Sequence, residues 1–257
     1  MKLLEGKKVL IAGVANKRSL AWGIAKAMHA HGAQLAFSCV PNNLRRLQRL
    51  APQVDSDLII PCDVQNDEDI AKLFKTLGEA WDGELNAFVH SIAFARFDDL
   101  EGEYITTPRA AFHLATDVSA YSFVAMSREA RPMLKKGKGS VMTLTYNASR
   151  RAIPNYNVMG PAKAALESSA IYLAVDLGKD DIRVNVISAG VVRTPSSSAI
   201  KGLDRAMDFL EENNPIGRNI TADDLGGPAV FLASDLSVAV TGATLYVDGG
   251  AALLTGA

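Results

Sequence analysis

One rhythm runs through the whole chain and constrains its fold more than any other feature. Short apolar runs alternate with segments of helical spacing from one end to the other. The runs are Lys8–Ala12, Gln34–Val40, Leu58–Pro61, Ala87–Ile92, Ser140–Tyr146, Arg183–Ser188 and Thr244–Val247. The helical segments are Ser19–Ala30, Asn43–Leu50, Glu68–Trp81, Phe112–Leu134, Tyr156–Leu177, Leu203–Asn213 and Ala222–Ser234. Strictly alternating strands and helices predict parallel strands joined by crossover helices. Nearly continuous apolar strands predict a sheet covered on both faces. The expected fold class is therefore α/β, a doubly wound Rossmann-type parallel sheet. No composition break, repeat or low-complexity linker interrupts residues 1–257, so a single domain is expected.

Charge and cysteine use narrow the function classes. Lys and Arg number 27 against 28 Asp and Glu, a net charge of −1, so no global field attracts nucleic acid or an acidic membrane. The two cysteines, Cys39 and Cys62, cannot build a disulfide framework or a four-thiolate metal site, and both lie in apolar stretches that suit buried thiols. His29, His31, His90 and His113 lack the spacing of a helical zinc motif, so no metal is expected. There is no apolar run long enough to span a membrane and no secretory leader at Met1–Lys8, which predicts a cytoplasmic protein.

Ligands of such sheets bind outside the carboxyl ends of the strands. Gly13 closes the first strand and a helix begins near Ser19, so a tight turn and a helix N-terminus meet where a diphosphate would lie. The segment Gly13-Val14-Ala15-Asn16-Lys17-Arg18-Ser19 lacks the G-x-G-x-x-G spacing, so the turn taken alone is a weak signal. Asp63 after the third strand is placed to accept from an adenine amino group, with a helix cap near Asn66 as its plainer use. Ser91-Ile92-Ala93 follow the fourth strand, where a cofactor ribose would pass. The second strand ends in Ser38-Cys39-Val40-Pro41-Asn42 without the carboxylate that holds NAD ribose hydroxyls, and Arg45 and Arg46 follow it. Those arginines suit either a 2′-phosphate or a solvated helix face. The reading favours NADH and keeps NADPH as an alternative.

Tyr146 ends a strand, Tyr156 follows a loop, and Lys163 comes seven residues later. Seven residues are two helical turns, which would align Tyr156 and Lys163 on one face. A phenol can donate to a developing oxyanion, and a nearby ammonium would favour proton release. No tyrosine has lysine four residues later; Tyr172 and Lys179 repeat the seven-residue spacing at a helix end, where a structural role suffices.

These motifs in this order resemble the NADH-dependent enoyl-acyl-carrier-protein reductases of bacterial type II fatty acid synthesis, a divergent branch of the short-chain dehydrogenases/reductases. The resemblance covers about Leu4 to Gly250. It rests on Gly13, Ser19 and Ala21; on His90 to Ala95; on Ser119, Tyr121 and Ser122; on Tyr146; on Ile153 to Gly160 and Ala162-Lys163-Ala164; and on Arg183-Val184-Asn185, Ile187 to Gly190 and Arg193-Thr194. It implies hydride transfer from NADH to the β-carbon of a trans-2-enoyl thioester. Tyr146, Tyr156 and Lys163 would be the catalytic groups. Cofactor contacts would fall on Gly13, Ser19, Leu20, Val40, Asp63, Val64, Ser91, Ile92, Ala93, Lys163, Val192 and Thr194. Substrate contacts would fall on Ala95, Tyr146, Tyr156 and Met159, under a flexible segment from Pro195 to about Met207.

The resemblance further implies a homotetramer acting on acyl carrier protein, with Lys201 and Arg205 as candidate contacts to that acidic partner. Val191 stands where the family usually has proline, and Pro195 where it usually has leucine. Pro161 interrupts the stretch between Tyr156 and Lys163, and is tolerated only within a first helical turn. A related reductase acting on another carbonyl or enoyl substrate, and a cofactor-binding subunit without turnover, are the alternative readings.

Overall fold

The strand order explains where a ligand can bind. The computed structural model describes residues 2–194 and 196–254, and Pro195 with its predicted stiffening of the cover lies outside them. The elements run β1 (Lys8–Ala12), α1 (Leu20–Ala30), β2 (Gln34–Cys39), α2 (Leu44–Leu50), β3 (Ile59–Pro61), α3 (Asp67–Ala80) and β4 (Ala87–His90). Next come α4 (Arg109–Thr116), a π-helical turn Asp117–Tyr121, α5 (Ser122–Gly137), β5 (Ser140–Tyr146), α6 (Met159–Gly178) and β6 (Arg183–Ala189). The chain closes through α7 (Leu203–Asn213), α8 (Gly226–Ala233) and β7 (Thr244–Val247). All pairings are parallel, in the order β3-β2-β1-β4-β5-β6-β7. The order reverses between β1 and β4, so the crevice above these two strands is the switch point.

Alternation along each strand separates two cores. Val9 and Ile11 of β1 point to the face covered by α1, α2 and α8, where Trp22, Leu47 and Val230 pack. Leu10 and Ala12 point to the face covered by α3, α5 and α6, where Leu73, Phe123 and Leu166 pack. Cys39 falls in the first core and Cys62 in the second, both as free buried thiols. Burial pushes them up to about 11 and about 12, which leaves them protonated and unreactive at neutral pH. The Arg183-Val184-Asn185 motif is structural. Arg183 donates to the Leu232 carbonyl (2.8 Å) and to Ser237 Oγ (2.7 Å). Asn185 donates to the Val240 carbonyl (2.8 Å) and accepts from the Ala243 amide (3.1 Å).

Three helical expectations change. The long helix expected over Phe112–Leu134 is α4 and α5 joined by the π turn, where Ser122 Oγ donates to the Val118 carbonyl at 2.7 Å. The helix expected to begin at Tyr156 begins at Met159, because Asn155 and Asn157 on either side of the tyrosine hold positive φ (60° and 20°) and no helix can pass through them. The segment Ala222–Ser234 is a 3₁₀ turn over Ala222–Leu225 followed by α8. Strand ends differ by one or two residues: β2 stops at Cys39, β3 starts at Ile59, and β4 stops at His90. Pro161 is the third residue of α6, within its first turn, where a missing N–H costs nothing.

Candidate active site

The turn after β1 is shaped by contacts between strand ends. Gly13 has φ +100°, and a Cβ built there would lie 2.0 Å from the Ser91 carbonyl oxygen. Its amide donates to the Ser38 carbonyl (3.1 Å), while the Ser91 amide donates to the Ala12 carbonyl (3.0 Å). Gly13 is thus the residue that lets β1 and β4 end side by side at the switch point. Ser19 Oγ accepts from the Ala15 and Asn16 amides (3.0 and 3.1 Å), which folds the loop and leaves the hydroxyl proton to donate outward. The amides of Leu20 and Ala21, at the start of α1, have no acceptor within the helix, and its first turn carries no acidic residue. A hydroxyl proton, free amides and a positive dipole end suit a diphosphate.

The neighbouring strand ends carry the other predicted cofactor residues. Val40 is exposed beyond β2, and Val64 is buried beyond β3. Asp63 is exposed and accepts from the Gln65 amide through Oδ1 (3.1 Å). It does not cap α3, because Asn66 does, accepting from the Glu68 and Asp69 amides (2.8 and 3.2 Å). Ser91, Ile92 and Ala93 are half-buried above β4. Arg45 and Arg46 are exposed on α2. These residues lie along one edge of the sheet, on successive strands, as an extended dinucleotide requires.

Tyr146, Tyr156 and Lys163 come together. The two tyrosine rings sit 5.3 Å apart, edge to face at 68°. Lys163 is buried on α6 and its ammonium donates to the Leu144 carbonyl at 2.9 Å, two residues before Tyr146. Burial lowers its pKa to about 8, partly offset by Glu167. Burial raises the Tyr156 phenol well above the tyrosine range, and the Tyr146 phenol adds to the shift; Tyr146 is raised by burial as well. The sequence reading had Lys163 easing proton release from the phenol; in the structure burial, with Tyr146 adding to it, favours the protonated form of Tyr156. A protonated phenol at this position is able to donate a hydrogen bond. Tyr156 owes its position to a loop and not to shared helix periodicity with Lys163.

Sequence reasoning picked out His90, Ser119 and Ser122 as motif residues but missed the supporting role that they share. His90 is fully buried beneath the site, bonded through Nδ1 to Thr143 Oγ1 (3.0 Å) and through Nε2 to Ser122 Oγ (2.9 Å). Burial first, then Lys163, lowers it to about 3, so it is neutral at physiological pH. Ser122 spends its proton on Val118, so the network assigns the histidine proton to Nε2. Ser119 Oγ accepts from the Phe94 amide at 3.0 Å and sits 3.7 Å from Met159 Sδ, joining the π turn to the loop after β4. A separate apolar cluster of Leu100, Ala111, Val158 and Met159 packs with Ala95, Tyr156 and Ile200. It brings together Ala95, Tyr156 and Met159 of the predicted substrate residues, and Tyr146 joins them through its ring contact with Tyr156. Glu167 was also missed, although its place four residues after Lys163 on one helix face was a readable signal.

The segment after β6 covers this wall. Val192 and Thr194 are buried. The Thr194 amide donates to Ser197 Oγ (2.8 Å), and Ser197 Oγ donates to the Val192 carbonyl (2.7 Å), a small knot at the start of the cover. Asn155 donates to the Lys201 carbonyl (2.9 Å) and Asn157 to the Glu101 carbonyl (2.9 Å). Arg193 pairs with Asp204, and Lys201 pairs with Glu101. Lys201, a candidate carrier-protein contact, remains exposed while its ammonium pairs with Glu101 across the edge of the cover. Arg205 is exposed and in no ion pair among the described residues.

Known proteins match this arrangement closely. A family model described as enoyl-(acyl carrier protein) reductase matches residues 13–252. An enoyl-acyl-carrier-protein reductase (NADH) of Aquifex aeolicus is 47% identical over 251 residues, covering 97% of this chain and 93% of that protein. Its Escherichia coli counterpart is 46% identical over 252 residues, covering 97% and 95%. The crystal structure of the Bacillus cereus enoyl-acyl carrier protein reductase with NADP+ and indole naphthyridinone superposes with a TM-score of 0.96 at 44% identity, covering 99% of this chain and all of that one. The reductase of Anaplasma phagocytophilum in complex with NAD gives 0.93 at 45% identity, covering 98% and 96%.

Proposed function

The chain belongs to the enoyl-acyl-carrier-protein reductase family, and from that premise we propose a division of labour among its residues. The protein is an NADH-dependent oxidoreductase of fatty acid synthesis that reduces an enoyl thioester carried on acyl carrier protein. The observation that carries the assignment of roles is the meeting of half-buried Tyr146 and Tyr156 with buried Lys163 beside the switch point.

The turn from Gly13 to Leu20 holds the diphosphate, through the Ser19 hydroxyl and the free amides of α1. Asp63 and Val64 flank the adenine, Val40 lies beyond the ribose, and Ser91, Ile92 and Ala93 line the path toward the nicotinamide. Val192 and Thr194 close that path from the other side. The reduced nicotinamide, when bound, supplies a hydride to the β-carbon of the enoyl thioester. Lys163 holds the nicotinamide ribose and adds a fixed positive charge at the site. Tyr156 donates a hydrogen bond from its phenol to the thioester oxygen, which becomes an enolate oxygen as the hydride arrives, and the enolate then takes a proton at its α-carbon to give the saturated thioester. A phenol raised by burial stays protonated at neutral pH, which suits a donor better than a base. Tyr146 packs edge-on against Tyr156 and fixes its ring. Ala95 and Met159 line the acyl side.

NADH oxidation by a crotonyl thioester, and none by an acetoacetyl thioester, is the expected assay result. The rate should fall as pH rises through about 8, where Lys163 loses its charge. Turnover of the acetoacetyl substrate alone would overturn the enoyl assignment, and a flat profile to high pH would remove Lys163 from its role. NADPH in place of NADH tests whether Arg45 and Arg46 meet a 2′-phosphate.

The whole chain works as one catalytic unit with the cover from Ser196 to about Met207. It assembles as a homotetramer. Ile171, Tyr172 and Val175 expose an apolar strip on α6, beside a groove lined by His113, Tyr121, Ala165 and Ser169. Light scattering should give about four times the 27.4 kDa chain mass, and a monomer would sink this reading. No described helix is long and apolar enough to cross a membrane, and family membership supports a cytoplasmic enzyme. Arg205 is the exposed cation nearest the cover available to an acidic carrier protein.

A further inference from the structure

Lys163 is a cation with almost no solvent, fixed through one hydrogen bond to the Leu144 carbonyl. An isolated buried ammonium sheds its proton unless another charge compensates it. The groups around it are few. His90 approaches from β4 and is neutral, and Tyr146 and Tyr156 are neutral phenols. Among the described residues the acid that acts on it is Glu167, one turn further along α6. Its carboxylate is 12% exposed and held on both oxygens. Oε1 accepts from Thr145 Oγ1 at 2.8 Å, and Oε2 accepts from Arg150 Nε at 3.4 Å. Thr145 is buried at the end of β5, between Leu144, whose carbonyl takes the Lys163 bond, and Tyr146.

We propose that Glu167 is a positioning residue for Lys163. Clamped by Thr145 and Arg150, it supplies the fixed negative charge that keeps the buried ammonium protonated and seated at the end of β5. It acts through space, since its ion-pair partner is Arg150. Thr145 aims the carboxylate inward, and Arg150 draws on it from the surface side. The direction in which Glu167 moves the lysine, upward against desolvation, agrees with this geometry. The inference rests on Lys163 being the ribose-holding group only for its bearing on catalysis.

The test is a titration of Lys163 in the cofactor-free protein by ¹³C NMR of labelled lysine, the signal being assigned by its absence in Lys163→Met. Glu167→Gln keeps the shape and still accepts from Thr145 while losing the charge. It should lower the Lys163 pKa by about one unit and move the alkaline fall in kcat/KM by the same amount. Glu167→Asp, which keeps the charge, should restore most of the shift. Thr145→Val, nearly isosteric, releases the clamp and should lower the pKa by a smaller amount, so it serves if Glu167→Gln folds poorly. A Lys163 titration unchanged in both Glu167→Gln and Thr145→Val overturns the proposal. Normal turnover by Lys163→Met would instead overturn the catalytic reading and leave the titration result standing.

Discussion

Replacing Tyr156 by Phe should lower kcat for a crotonyl thioester by about 100- to 1,000-fold, the usual cost of removing a donor to a developing oxyanion. NADH affinity should stay within about twofold, because the diphosphate turn and Lys163 are untouched. The reason the variant isolates the chemistry lies in the packing. Phenylalanine keeps the edge-to-face contact with Tyr146 and the place in the apolar cluster around Met159. Only the hydroxyl is lost, and no protein hydrogen bond contributes to its raised pKa. Isothermal titration with NADH and stopped-flow single turnover would separate binding from chemistry. Near-parental turnover with intact binding would show that another group stabilises the oxyanion.

A Gly13→Ala variant should be the most damaging single change near the cofactor turn, for a reason unrelated to the ligand. Alanine at φ +100° is strained by about 1–3 kcal/mol. Its methyl would also sit 2.0 Å from the Ser91 carbonyl, a backbone atom that cannot turn aside. Either β1 or β4 must shift, which breaks the Ser91 amide bond to Ala12. The combined loss should exceed about 3 kcal/mol in urea denaturation, with NADH binding weakened at least tenfold in whatever protein remains folded. An unchanged melt and an unchanged affinity would mean that the strand ends are more yielding than their hydrogen bonds imply.

The sheet was legible because its cause is local and repetitive. Seven apolar runs at crossover spacing leave few topologies, and the observed β-strands follow them to within one or two residues. The tyrosines and lysine were legible as residue types at a spacing, but the geometry behind that spacing was not. Helix periodicity suggested that Tyr156 and Lys163 share a helix; the left-handed asparagines at 155 and 157 exclude it. Asparagine tolerates that conformation, yet tolerance alone does not announce where it is used. The π turn was hidden for a similar reason, since the bond that ties Ser122 at its end to the buried His90 is tertiary and invisible to local pattern. The pairing of Lys201 with Glu101, a hundred residues away in sequence, was equally invisible to local pattern.

Tyr156 and Lys163 are thus delivered by different devices, one by a loop hinged at two asparagines and the other by a rigid helix wall. Residues on one helix are locked to each other by its pitch, and inserting or deleting one of them rotates its partner away. A loop imposes no such accounting. The chain length between a phenol and an ammonium is then not tied to the helical repeat, because Tyr156 lies outside the helix that carries Lys163. A one-residue insertion before Met159 would therefore alter the loop and leave Lys163 seated in its helix, whereas one between Met159 and Lys163 would turn the ammonium by about 100°.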